Sequence, residues 1–135
     1  MNSHSILLFY LLSFSCVFSN GQNISINDEV IVNETTLLKH LKTLSSDIYE
    51  GRRTGTKGGI KAKKYIINQF HILNVLPFKK DYEQSFSFET HGKEYKGTNV
   101  LGLIKGTELP HKYIVISAHY DHEGIKKGKI YNGAD

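Results

Sequence analysis

The chain has 135 residues, a net charge of +4 and 39% apolar content, which suffices for one small domain and excludes a multidomain assembly. Its basic residues are scattered: Lys61, Lys63 and Lys64 fall on one expected helix, and Lys126, Lys127 and Lys129 in one expected loop. That distribution describes a solvated surface and not the concentrated basic face of a nucleic-acid binder, so no nucleic-acid partner is expected.

The first segment is an apolar run from Ile6 to Phe18. It is too short to span a bilayer, so no stable membrane span is expected. Ser19, Asn20 and Gly21 follow, and residues 1–21 read as a secretory signal peptide, although the start carries only His4 and no Lys or Arg. A lipid anchor on Cys16, the sole cysteine, fits less well because Ser13-Phe14-Ser15 precede it. The expected location is secreted or periplasmic, with no cysteine in the mature chain. Asn23-Ile24-Ser25 and Asn33-Glu34-Thr35 match the glycosylation acceptor pattern, which has meaning only in a eukaryotic secretory pathway. Residues 22–33 read as a mobile lead-in to a domain portion at 34–135.

Asn33 or Thr35 can cap a helix whose Leu37, Leu38, Leu41 and Leu44 form one apolar stripe ending at Ser45-Ser46-Asp47. Glu50 to Gly59 is glycine-rich, but Lys57 precedes Gly58, the wrong order for a phosphate-binding loop. It reads as a turn with positive-φ glycines in which Arg52 or Arg53 pairs with Glu50. A second helix is expected from about Gly59 to Leu73, burying Ile60, Ile66, Ile67, Phe70 and Leu73 and exposing Lys61, Lys64 and Asn68. Tyr82, Phe86 and Phe88 alternate with polar residues as an antiparallel edge strand does, His91-Gly92-Lys93 suits a hairpin turn, and Tyr95 to Ile104 reads as the returning strand. Tyr113-Ile114-Val115-Ile116-Ser117-Ala118 is a continuous β-branched run, which predicts a strand buried on both faces of a sheet.

Such strands deliver functional groups at their carboxyl ends. Here the groups are His119-Tyr120-Asp121-His122, followed by Gly133-Ala134-Asp135. Residues two apart on a strand share a face, so Asp121 can hold one nitrogen of His119 while the other binds a cation, or it can itself be a ligand. A carboxylate such as Asp135 can bridge two cations about 3.5–4 Å apart. His40, His71, His91 and His111 have no ligand spacing and read as surface or helix polar residues; His122 and Glu123 lie in the loop just past the motif.

Taken together, Tyr49-Glu50-Gly51-Arg52-Arg53-Thr54-Gly55-Thr56, the following helix with Lys61-Ala62 and Tyr65-Ile66, Thr98-Asn99-Val100-Leu101-Gly102, Ile116 to His122 and Tyr131-Asn132-Gly133-Ala134-Asp135 resemble a known family. It is the amino-terminal portion of the secreted two-zinc aminopeptidases, the clan MH metallopeptidases that include bacterial leucyl aminopeptidases. The resemblance covers roughly Leu37 to Asp135. It implies an α/β fold: an incomplete three-layer α/β/α zinc-exopeptidase fold with a mixed sheet, to which this chain gives two N-terminal helices, an antiparallel edge hairpin and the first central strand. It further implies zinc as cofactor (two ions in the complete domain), His119 as a terminal ligand, Asp135 as the bridging carboxylate and Asp121 as the group that orients His119. Peptides would be the substrates, hydrolysed at their amino-terminal residues.

The family's catalytic Glu, its remaining carboxylate ligands and its last His fall past the position of Asp135. The chain by itself is therefore expected to be an inactive fragment of the enzyme, partly unfolded or prone to aggregate. Nothing in the pattern specifies an oligomeric state. Two rival readings stand beside this one: a glutaminyl cyclase-like zinc enzyme on a similar sheet, and a non-catalytic secreted binding fragment.

Overall fold

The computed structural model describes residues 33–133, so the expected signal peptide, nearly all of the lead-in and Asp135 lie outside the described residues. The first helix, α1, is Glu34–Leu44. Asn33 is its cap, accepting from the Thr36 amide at 3.2 Å, while Glu34 in the first turn and Lys42 in the last complement the helix dipole. The leucine stripe forms as expected but is uncovered among the described residues: Leu37, Leu38 and Leu41 are all exposed.

A short 3₁₀ segment, Asp47–Arg52, follows and is broken by three consecutive left-handed residues, Glu50, Gly51 and Arg52. Helix α2 runs Lys57–Ile72, capped by the Thr56 hydroxyl and ended by Asn74 in the left-handed conformation. Its packed face differs from the expected one. Ile60 and Leu73 are exposed, and Ile66, Ile67 and Phe70 are only half-buried. The buried positions are Gly58, Gly59 and Ala62. The reason is proximity: α2 lies so close to the Asp47–Arg52 segment that a Cβ on Gly59 would meet the Arg53 carbonyl oxygen at 2.6 Å. Small residues form this contact, and the large apolar ones are displaced to its flanks.

Among the described residues, six strands form three two-stranded antiparallel sheets. Strand β1, Leu76–Pro77, pairs with β4, Gly102–Leu103. Strands β2, Glu83–Thr90, and β3, Lys93–Val100, make the expected hairpin, with His91 (φ 51°) and Gly92 (φ 68°) supplying a two-residue turn. Strands β5, Gly124–Lys126, and β6, Lys129–Tyr131, make another through Lys127 and Gly128, also left-handed. The three lysines assigned to a loop thus lie in a hairpin. Around α2, Tyr82 is buried against Phe70 and His71 and donates its hydroxyl to the Val75 carbonyl at 2.5 Å. No helix among the described residues is long and apolar enough to cross a membrane.

The structure is therefore mixed α and β, but the predicted central strand is not formed. Residues 113–118 have no ladder partner among the described residues, and Ile114 and Ile116 are 94% and 93% exposed. A β-branched run favours extended backbone, but a strand exists only when a neighbour satisfies its N–H and C=O groups, and no described segment lies alongside. An uncharged run of this kind in solvent is a template for pairing with another chain. Ile116→Lys is expected to shift the protein toward the monomer in analytical ultracentrifugation at fixed concentration, with little change in far-ultraviolet circular dichroism. An unchanged sedimentation profile would show that the run does not mediate association.

Candidate metal-binding site and its cleft

The segment from His119 to Glu123 is irregular, and its position is set from the other end of the chain by Arg52. That side chain is 7% exposed. Its Nε donates to the Tyr120 carbonyl at 2.9 Å, and its terminal nitrogens donate to the carbonyls of Leu44, Asn132 (2.8 Å) and Gly133 (3.2 Å). One guanidinium therefore ties the end of α1 to the two segments that carry the expected ligands. All four partners are neutral carbonyls. Burial accordingly pulls the guanidinium below its ordinary pKa, an effect opposed by the nearby Asp121 carboxylate. The anticipated pairing of an arginine with Glu50 does not occur, because Glu50 instead takes Lys61 at 3.1 Å and leaves Arg52 free to turn inward.

Other contacts fix the same segment. The His122 amide reaches the Arg52 carbonyl at 3.4 Å, and the Tyr120 hydroxyl donates to the Thr98 carbonyl on β3 at 2.6 Å. Burial, and secondarily the Asp121 carboxylate, raises the pKa of the Tyr120 phenol and keeps it a neutral donor. The His122 ring lies under Gly133, where a Cβ would come within 2.5 Å of it. Asn132 donates to the Asp47 carboxylate at 2.7 Å. The Asp47–Arg52 segment, residues 120–122 and residues 132–133 thus form one continuous hydrogen-bonded unit.

His119 and Asp121 are adjacent, but through a different atom from the one expected. His119 Nδ1 lies 2.9 Å from the main-chain oxygen of Asp121 and 3.4 Å from its carboxylate. A carbonyl oxygen only accepts, so Nδ1 is the donor in this bond. The Asp121 carboxylate accepts the Thr54 hydroxyl at 2.8 Å. Thr54 and Arg52 are site residues in a segment that the sequence presents as a turn; what marks them there is the family-like run Tyr49 to Thr56.

The donor chemistry suits zinc: an imidazole with its proximal nitrogen held by an oxygen acceptor is the usual arrangement of a zinc-ligating histidine, whose distal nitrogen binds the metal. No group of three or more His, Cys, Asp or Glu side chains that could hold a metal is assembled among the described residues. Asp135, the second expected ligand, follows directly on the segment that Arg52 anchors at Gly133, but is itself outside the described residues. His40 bonds the Tyr65 hydroxyl at 2.7 Å and His71 packs edge-on to Tyr82, both away from His119.

Beside His119 and Asp121 lies a cleft of about 460 Å³, whose opposite wall is Phe88 and Tyr95 of the β2–β3 hairpin. Glu123 and Lys126 form its rim and pair at 2.6 Å, which holds the Glu123 carboxyl below its ordinary pKa. No protein-family model, curated protein or solved structure matches the chain.

Proposed function

We propose that this chain carries the first metal-binding segments of a secreted zinc-dependent exopeptidase of the two-zinc aminopeptidase type, built on a three-layer α/β/α fold and acting on the amino-terminal residues of peptides. The observation that carries this reading is the placement of His119, whose Nδ1 is held by the Asp121 carbonyl and whose Nε2 is the nitrogen a metal would take. His119 and Asp135 are the residues that would hold the metal. When bound, zinc supplies a polarising charge for a carbonyl and a water of lowered pKa. Asp121 keeps the imidazole in one tautomer through its main chain, and Thr54 keeps the Asp121 side chain from swinging. Arg52 holds the His119 and Gly133 segments to a common anchor.

Two protein ligands make a weak zinc site, since catalytic sites draw at least three from protein. Calorimetric titration of the intact chain with zinc is therefore expected to give a measurable but weak heat, abolished in His119→Ala and strongly reduced in Asp135→Asn. Absence of heat from the unmutated chain, or heat unchanged in both variants, would overturn the metal-site reading and leave a binding role.

A further inference from the structure

The hairpin beside the site presents an aromatic surface that the metal reading does not use. Alternation along β2 puts Phe86, Phe88 and Thr90 on one face, and the register sets Gly97, Tyr95 and Lys93 opposite them on β3. Phe88 stacks on its cross-strand partner Tyr95 at 5.4 Å with the rings 16° apart, and Phe86 continues the stack at 6.1 Å while covering Gly97. Arg53 and Lys93 sit 5.8 and 5.6 Å from the centre of the Tyr95 ring. Phe88 nevertheless remains 42% exposed, and Phe88, Thr90 and Tyr95 all line the cleft that holds His119 and Asp121.

We propose that the Phe88–Tyr95 wall receives an aromatic side chain of a peptide whose backbone lies against His119 and Asp121, so that the β2–β3 hairpin sets side-chain preference at this site. The inference rests on the peptide-hydrolase reading and names its substrate class. Three features favour this occupant. The cleft volume is that of one or two residues, not of an extended polymer. Its charges are mixed, Arg53 and Lys126 against Asp121 and Glu123, which suits the alternating polarity of a peptide better than a polyanion. Because the rings stack on one another, the wall offers the cleft the edges of Phe88 and Tyr95, and such edges select an aromatic partner by edge-to-face contact.

The chain has no tryptophan, so an indole probe reports alone. Fluorescence titration of the intact protein with the dipeptide Trp-Ala is expected to saturate, with Phe-Ala displacing it and Ala-Ala displacing it at least tenfold less well. Phe88→Leu and Tyr95→Leu keep apolar volume but remove the ring, and each is expected to weaken Trp-Ala about tenfold. Thr90→Phe, on an exposed strand position, fills the cleft and is expected to block binding even if the Leu variants fold poorly. Equal displacement by Ala-Ala and Phe-Ala, or unchanged affinity in Thr90→Phe, overturns the proposal. Zinc heat measured on the same samples separates the two readings: zinc binding without aromatic selectivity removes the wall's role alone, and aromatic selectivity without zinc binding removes the metal site alone.

Discussion

Arg52→Lys is expected to destabilise the protein nearly as much as Arg52→Met, by about 3–5 kcal/mol, the loss of at least two hydrogen bonds from a charged donor at about 1.5–3 kcal/mol each. The guanidinium reaches four carbonyls from one planar group, and three of them belong to Tyr120, Asn132 and Gly133. An ammonium is a single point with three donors and cannot span that set. Methionine leaves every one of those carbonyls without its partner, at about 1–3 kcal/mol for each that stays buried. The measurements are the urea midpoint and amide hydrogen exchange. Exchange should accelerate selectively at residues 120–122 and 132–133, while the β2–β3 hairpin, which makes its own ladder, keeps its protection. Full rescue by lysine would show that only the charge matters and not the geometry. Because the same side chain anchors both expected ligand segments, zinc heat should fall with it.

Gly51→Ala is expected to cost about 3 kcal/mol, against about 1 kcal/mol for Gly128→Ala, although both glycines are left-handed (φ 65° and 75°). The conformational penalty is similar at both sites. The difference is space: a Cβ at Gly128 meets nothing within 4 Å, whereas one at Gly51 would run into the Tyr131 carbonyl and lie 2.7 Å from the Gly124 carbonyl oxygen. Those are main-chain atoms of the β5–β6 hairpin and cannot rotate aside. Gly51→Ala should therefore lower the urea midpoint and also speed exchange throughout β5 and β6. If the two variants prove equally stable, the hairpin does not press on the Asp47–Arg52 segment in solution.

Elements whose determinants are local were legible before any coordinates. The leucine spacing and Asn33 specify α1, the Ile and Phe spacing places α2, and His91-Gly92 between alternating strands specifies the longest hairpin. Lys127-Gly128 carries the same turn signal for β5–β6, but with Lys126 and Lys129 on either side it reads as a solvated loop. The packed face of α2 was misassigned because hydrophobic periodicity ranks large side chains first, and this contact is closed by Gly58, Gly59 and Ala62.

The site divides along the same line. His119 and Asp121 stand out in the sequence by residue type, spacing and the family resemblance, and the structure places the His119 ring within hydrogen-bond distance of the Asp121 main chain. Which atom of Asp121 meets the imidazole, the pairing of Thr54 with its carboxylate, and the convergence of four carbonyls on Arg52 could not be read from spacing, because each joins positions tens of residues apart or depends on main-chain direction. The sequence by itself determined two capped helices, a tight hairpin and a histidine with a neighbouring acid, since propensity, capping and turn chemistry act over a few residues. Only the tertiary structure decided that a buried arginine organises the site and that residues 113–118 stand unpaired, because a guanidinium's partners and a strand's ladder are supplied by chain distant in sequence.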